Sequence, residues 1–351
     1  MFLNRLRKNK IKTIEIDSAI KVSNAIWIDV RCNREYNKGH YTKSKNIPLF
    51  SDIEFDHLGK VYKKYGKKKA IKIGYEFILK SKLNTLKQIS NYKESKLFIY
   101  CARGGLRSRA FYYLLFENNY DSQIINNGYK AIRGSVFDSF YERKRIMLIG
   151  GYTGSNKTLI INQMSKNNIN TINLEKLANH KGSAFGDLGI ESQATQQQFE
   201  NDLSYYWLRL KKNKTVFIES ESRTIGKVVI PEQIWHQMNN SFYLRINMRI
   251  ERRIENLISE YGNFSSEQLK IRLERISNKL GDKNYKIALK YIKNGDLVEL
   301  CNLLLNNYYD KMYNYSVNKR KTKISELNVK DESIMEIISL ITIFDNFKIK
   351  T

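Results

Sequence analysis

Short, uninterrupted apolar runs recur along the chain, each bounded by polar or glycine-containing stretches. They are Ala25–Val30 (AIWIDV), Leu97–Tyr100 (LFIY), Gln123–Ile125, Arg145–Gly150 (RIMLIG), Thr215–Glu219 (TVFIE) and Ser241–Ile246 (SFYLRI). They are rich in β-branched and aromatic residues and too short for buried helices, so they predict strands covered on both faces. Ser108–Phe116 has helical spacing, and Asn126-Asn-Gly128 predicts a turn. Strands alternating with helices predict an α/β architecture. From about Ser265 the pattern becomes helical; Leu297, Leu300, Cys301, Leu304 and Leu305 recur at i, i+3 and i+4. A new strand opens at Arg145, which places a boundary near Phe137–Lys144. Two domains are expected, 1–138 and 139–351, with the helical part of the second beginning near 265. No internal repeat is visible.

Charge changes this picture in one respect. The 351 residues carry 61 Lys and Arg against 35 Asp and Glu, a formal +26. Such an excess favours a polyanionic partner, because Lys and Arg release condensed counterions from phosphates. Composition alone offers a second origin: Lys, Asn, Ile and Tyr are all abundant and there are two prolines. No apolar run reaches the length of a membrane span. The basic N-terminus, MFLNRLRKNKIK, has no apolar segment after it, so a secretory signal and a membrane partner are not expected. Cys32, Cys101 and Cys301 are too few and too scattered for a disulfide framework or a zinc set. A reducing cytoplasm is expected, where a free thiol can be catalytic.

Two loops carry candidate chemistry. Cys101-Ala-Arg103-Gly104-Gly105-Leu-Arg107-Ser108 starts where a buried strand ends and runs into a helix. Backbone N–H groups and the positive end of the helix would converge there on an anion or a thiolate. Arg103 and Arg107 would add positive charge, favouring thiolate at Cys101. The second loop, Gly151-Tyr-Thr-Gly154-Ser155-Asn156-Lys157-Thr158, matches G-x-x-x-x-G-K-[ST] except at Asn156. Its N–H groups would wrap phosphate oxygens, Lys157 would reach further oxygens, and Thr158 would be the ligand if Mg²⁺ is bound. Asn tolerates the positive φ that glycine usually supplies there. Glu219 ends a buried strand, and Glu221 and Arg223 follow it. His180, Lys181 and Ser183 lie among small residues in a polar loop suited to substrate. The Lys63–Lys69 run reads first as a solvated face.

Longer motifs add a family. Asp29-Val-Arg31, Glu35-Tyr36, Gly39-His40 and Asn46-Ile-Pro48, followed by the Cys101 loop, resemble a rhodanese domain, in which Asp29, Arg31 and His40 would brace loops and Cys32 would be a bystander. Tyr62-Lys63 to Gly66, Gly128-Tyr-Lys130-Ala-Ile-Arg133, Leu174-Glu175 through Asn179-His180-Lys181-Gly182-Ser183 to Phe185-Gly186, Glu219-Ser-Glu221-Ser222-Arg223, and Tyr308-Tyr309-Asp310 with Tyr313 resemble segments of tRNA 2-selenouridine synthases. The resemblance runs from about residue 26 to 316. The chain departs from the family's pattern at Ala102 (usually Trp), Leu106 (usually Met), Ala194 (usually Pro, between Gln193 and Gln196) and Asn156 (usually Gly).

The resemblance implies a rhodanese-like domain followed by a P-loop α/β domain with a helical C-terminal extension. It implies exchange of sulfur for selenium in 2-thiouridine of the tRNA anticodon loop. Geranyl diphosphate would alkylate the thiocarbonyl sulfur, and selenophosphate, from a selenophosphate synthetase, would displace the S-geranyl group. No covalently bound cofactor is implied. Two other classes fit the same loops: a rhodanese sulfurtransferase fused to a P-loop kinase or ATPase for a small molecule, and a non-catalytic tRNA-binding protein.

Overall fold

A computed structural model describes residues 11–190, 192–320 and 322–349. Most of the basic N-terminal stretch, residues 1–10, lies outside the described residues. The chain divides into two compact units, one formed by residues 1–139 with 200–205, the other by 140–199 with 206–351.

The first unit holds a parallel sheet of β1 (Thr13–Ile14), β2 (Ile26–Asp29), β3 (Lys45–Asn46), β4 (Leu97–Tyr100) and β5 (Ser122–Ile125), in the order β1-β5-β4-β2-β3. All four residues of β4 are fully buried, which explains why this strand reads as unbroken apolar sequence instead of alternating. Asp29 pairs in register with Tyr100. The loops after β2 and β4 therefore leave the sheet at one edge, between strands whose connections run in opposite directions. That is where ligands bind in open α/β sheets.

Between β3 and β4 lies a feature the apolar runs do not predict: helix from Asp52 to Ile89, broken at Gly66. It starts with a Ser51/Glu54 capping box. Its buried positions, Val61, Ala70, Gly74, Ile78, Thr85 and Ile89, are spread among so many lysines that its helical period is faint.

The second unit repeats the plan. Strands β6 (Ile146–Gly151), β7 (Thr171–Ile172), β8 (Val216–Glu219), β11 (Phe242–Met248) and β12 (Ile324–Val329) form a parallel sheet in the order β12-β11-β6-β8-β7. Strands β9 (Thr224–Ile225) and β10 (Val228–Val229) make a separate antiparallel hairpin. Ile149 pairs with Glu219, and Gly151 with Ile246. The loop after β6 thus opens between strands whose continuations diverge, with the end of β8 beside it. Helices Ser266–Glu274, Ser277–Leu280, Asp282–Asn294 and Leu297–Leu304 gather Leu269, Leu273, Ile276, Leu280, Ile292, Leu300 and Leu304 into a core of their own. The chain does not stay helical to its end. It returns to the sheet as β12, whose only buried residue is Val329, so this edge strand carries little apolar signal.

Candidate functional site

In the first unit, β4 delivers Cys101 to the sheet edge, where it is 2% exposed. Its Sγ lies 3.3 Å from Ser108 Oγ, which in turn donates to the Gly105 carbonyl at 3.0 Å. The loop is pinned from below by the turn after β5. The Tyr129 N–H donates to the Cys101 carbonyl at 2.8 Å and the Lys130 N–H to the Ala102 carbonyl at 3.1 Å. Gly128, at φ +53°, must be glycine: a Cβ there would sit 2.2 Å from the Cys101 oxygen. Gly104, at φ +63°, and Gly105 complete the turn into helix Leu106–Phe116.

The two arginines part company. Arg103 is exposed at the rim. Arg107 is half-buried, makes a two-point ion pair with Glu35, and lies 4.8 Å from the Phe55 ring. Burial alone would raise the Glu35 carboxyl, but the Arg107 guanidinium overrides it and holds the carboxyl below the usual carboxylate range. Arg107 therefore ties two elements together beside the loop, with its charge already countered. Asp29 and Arg31 form a buried pair, Arg31 also donates to the Gly39 carbonyl at 2.7 Å and lies over the Tyr129 ring, and His40 stacks on Tyr36. All three brace loops, as the sequence suggests. Cys32 caps helix Asn33–Lys38, and burial pushes its thiol up to about 12.

In the second unit, the loop after β6 has the form of a phosphate cradle. Gly154 sits at φ +83°, and Asn156, at φ +57° and ψ +28°, caps helix Lys157–Lys166 in the left-handed region that asparagine tolerates. A Cβ on Gly154 would lie 2.7 Å from the Arg253 carbonyl. Ser155 turns inward, its hydroxyl donating to the Tyr152 carbonyl at 2.7 Å. Lys157 Nζ donates to the Gly151 carbonyl at 3.0 Å, and Thr158 Oγ1 to Glu175 at 2.6 Å.

Three carboxyls crowd this cradle. Glu219, at the end of β8, is fully buried and accepts the Glu175 N–H at 2.8 Å. Glu175 and Glu221 both flank Gly182, where a Cβ would sit 2.4 Å from Glu221 Oε2 and 2.8 Å from Glu175 Oε1, so the missing side chain leaves them room. Burial and then mutual repulsion push Glu219 well above the carboxylate range, and burial with the neighbouring Glu175 pushes Glu221 to about 8 against the pull of Lys157. Burial raises Glu175 as well, although Thr158 and Lys157 oppose it. The set consists of oxygen donors, but among the described residues no group of three or more His, Cys, Asp or Glu is arranged to hold a metal ion.

The remaining candidates separate. Lys181 and Ser183 join the cradle in lining a cleft of about 1280 Å³, and Glu221 and Arg223 line it too. Lys181 also pairs with Glu260 at 2.9 Å, and Arg223 pairs with Glu232. His180 does not line the cleft. Its Nδ1 accepts the Gly182 N–H at 3.1 Å and its ring packs against Gly186 and Gly226, so it shapes the loop. Gln193 and Gln196 hydrogen-bond the β9–β10 hairpin.

Sequence reasoning missed what holds the cradle and what shares its cleft. Arg253 donates to the Thr153 carbonyl and makes a two-point pair with Asp310; Asn256 donates to the Gly154 carbonyl. These partners come from about 100 residues downstream and share no local motif with the loop. Much of the rest of the cleft lining is apolar and aromatic, including Leu257, Leu300, Leu304, Tyr261, Tyr308 and Tyr309. Leu300 and Leu304 were visible as part of a helical stripe, but nothing local placed them beside phosphate donors.

Comparison with known proteins agrees with the architecture. Residues 13–135 match the rhodanese-like domain model, and residues 144–341 match the model of the tRNA 2-selenouridine synthase AAA domain. A tRNA 2-selenouridine synthase of Psychromonas ingrahamii is 31% identical over 85% of this chain and 89% of that protein. One from Shewanella frigidimarina is 30% identical over 86% and 91%, and one from Nitrosomonas europaea 35% identical over 70% and 65%.

Proposed function

Because this chain belongs to the tRNA 2-selenouridine synthase family, we propose that it replaces sulfur by selenium in wobble-position 2-thiouridine of tRNA in two steps, served by its two loops. In the first step the thiocarbonyl sulfur attacks C1 of geranyl diphosphate. The C1–O bond breaks, pyrophosphate leaves with the electron pair, and the base loses its N3 proton. In the second step selenophosphate, supplied by a selenophosphate synthetase, adds its selenium at C2. The geranyl thiolate leaves, and hydrolysis of the Se–P bond releases phosphate. Alkylation makes the exchange feasible, since a thiocarbonyl sulfur is a poor leaving group and a thiolate a good one.

One observation carries this reading. The phosphate cradle and a group of apolar and aromatic side chains line one and the same cleft of about 1280 Å³. A nucleotide needs no long hydrocarbon wall, whereas a prenyl diphosphate needs both ends. Each buried methylene contributes about 0.8 kcal/mol, so a ten-carbon chain gains several kcal/mol from the leucines and tyrosines while Lys157 and the loop N–H groups hold the diphosphate. These groups also stabilise charge as pyrophosphate departs. In the other unit, the N–H groups of the Cys101–Gly105 loop and Arg103 suit selenophosphate or its product phosphate.

The test is mass spectrometry of wobble nucleosides after 2-thiouridine tRNA is incubated with the protein, geranyl diphosphate and selenophosphate. S-geranyl-2-thiouridine should appear first and 2-selenouridine after it. Leu257→Trp, at a half-buried position of the cleft wall, should raise KM for geranyl diphosphate at least ten-fold and leave binding of inorganic pyrophosphate unchanged. Selenium incorporation that ignores geranyl diphosphate, or ATP turnover with no tRNA requirement, would replace this reading with that of a sulfurtransferase joined to a P-loop ATPase.

A further inference from the structure

The helix between β3 and β4 supplies no residue to either loop, yet from His57 onward its charge is strongly one-sided. Between His57 and Ile89 there are ten lysines and one acid, Glu76. Over the whole chain the ratio of basic to acidic residues is 61 to 35. A bias of composition would bring acids along in something like that proportion; here they are missing. The helix's other acids, Asp52, Glu54 and Asp56, sit in its first turns, where the helix dipole favours them and where Asp56 pairs with Arg34.

Geometry concentrates the charge further. Gly66, at φ +78° and ψ +178°, breaks the helix into two arms. Val61 and Ala70 are buried, but every residue from Tyr62 to Lys69 is exposed. The elbow, Tyr62-Lys63-Lys64-Tyr65-Gly66-Lys67-Lys68-Lys69, thus projects from the unit. It bears five lysines, two tyrosines and no aliphatic side chain. Among the described residues, none of these lysines has an ion-pair partner. Lys64 and Lys69 lie 5.2 and 4.5 Å from the Tyr65 ring centroid, so the tyrosine supports them without neutralising them.

We infer that this elbow is a docking surface for the phosphate backbone of the tRNA substrate. The inference rests on the tRNA reading above and extends it to a surface remote in sequence from both loops. Unpaired, solvated lysines match a string of phosphates by counterion release. Exposed tyrosines set among them offer rings on which unpaired bases or riboses stack. An anionic membrane is a poorer fit, because a surface-bound helix inserts aliphatic side chains, which the elbow lacks.

The experiment compares full-length wild type with two quadruple variants, in which Lys63, Lys64, Lys67 and Lys68 are all changed to Glu or all to Arg. Because the four side chains project into solvent, folding should be unaffected, and unchanged geranyl diphosphate binding checks this. The Glu variant should bind tRNA about 100-fold more weakly at physiological salt. Its slope of log affinity against log salt should fall by roughly three, at about 0.7–0.9 for each phosphate no longer neutralised. Its KM for tRNA should rise with kcat little changed, and the Arg variant should match wild type. If wild type makes 2-selenouridine and the Glu variant keeps the wild-type affinity and slope, the docking surface is wrong and the functional reading stands. A wild type that binds no tRNA overturns both. Loss of binding to phosphatidylserine vesicles, with tRNA binding intact, reassigns the elbow to a membrane and overturns the inference.

Discussion

Raising the pH from 7 to 9 should weaken geranyl diphosphate binding about ten-fold, and Glu221→Gln should abolish that dependence. Glu221 lines the cleft next to Lys157 and shares Gly182 with Glu175. Burial and Glu175 push its carboxyl to about 8. A protonated carboxyl beside a diphosphate is neutral and donates a hydrogen bond; an ionised one repels it. If the diphosphate binds only the protonated form, the apparent Kd scales as one plus the ratio of ionised to protonated carboxyl. With a midpoint of about 8 that factor is about 1.1 at pH 7 and about 11 at pH 9, a difference of about 1.4 kcal/mol. Burial also raises the neighbouring Glu219 and Glu175, and Glu221→Gln isolates the contribution of Glu221 from theirs. The ligand's last ionisation lies near pH 6, as for other phosphate esters, and is complete before the window opens. Titration calorimetry at pH 7, 8 and 9 reads the effect. A flat Kd in wild type, or the same fall in Glu221→Gln, refutes the reasoning.

Lys157→Ala should slow geranylation of 2-thiouridine tRNA by about 10²–10³, as expected for removing a charged donor from a leaving oxyanion. It should spare the second step when geranylated tRNA and selenophosphate are supplied, and single-turnover assays of each half-reaction check this; loss of the second step alone would overturn the assignment. Cys101→Ser should fold normally and lose most selenium incorporation while geranylation continues, with Cys32→Ser and Cys301→Ser nearly silent in the same nucleoside assay. Asp310→Ala leaves the buried Arg253 guanidinium without its two-point partner. The variant should lose about 3 kcal/mol of stability, seen as a lower Tm, and bind diphosphate more weakly because Arg253 also holds the Thr153 carbonyl.

Where the sequence was legible, it was because burial on both faces leaves a strand no choice but apolar residues. Strands β2, β4, β6 and β8 announce themselves that way, and each of the two loops follows directly from one of them. Asn156 was legible too, since only a few residue types sit comfortably at positive φ and the structure places it there. The elbow at Gly66 and edge strand β12 were not legible. The elbow is exposed throughout and β12 buries only Val329, so periodicity fades into charged or mixed sequence. Arg107 misled in another way. Its spacing from Cys101 suggested charge delivered to the thiol, but Glu35, on a different element, takes that charge up. The Arg253–Asp310 support of the phosphate loop belongs to the same class of feature: a pair 57 residues apart that only the fold brings together.

The composition of the apolar lining bears on why prenylation would fall on the thiouridine and not on the protein. An allylic diphosphate develops positive charge at C1 as its C–O bond lengthens, and any nearby nucleophile competes for that carbon. The cleft contains a cysteine, Cys301, and several tyrosines. Burial pushes the Cys301 thiol up to about 11, so it stays protonated at neutral pH, when only the thiolate would be strongly nucleophilic. Burial likewise pushes the phenols of Tyr261, Tyr308, Tyr309 and Tyr313 above their ordinary values, so none is a phenolate. Neutral aromatic rings still favour a developing cation through their faces. These rings thus lower the cost of charge at C1, and neither they nor the Cys301 thiol offers an anion to trap it. Cys101, the cysteine with a proposed role in the chemistry, is not among the residues lining that cleft. A reactive thiol would compete for the allylic reagent if both shared one pocket, which gives a chemical reason for two loops on two separate sheets.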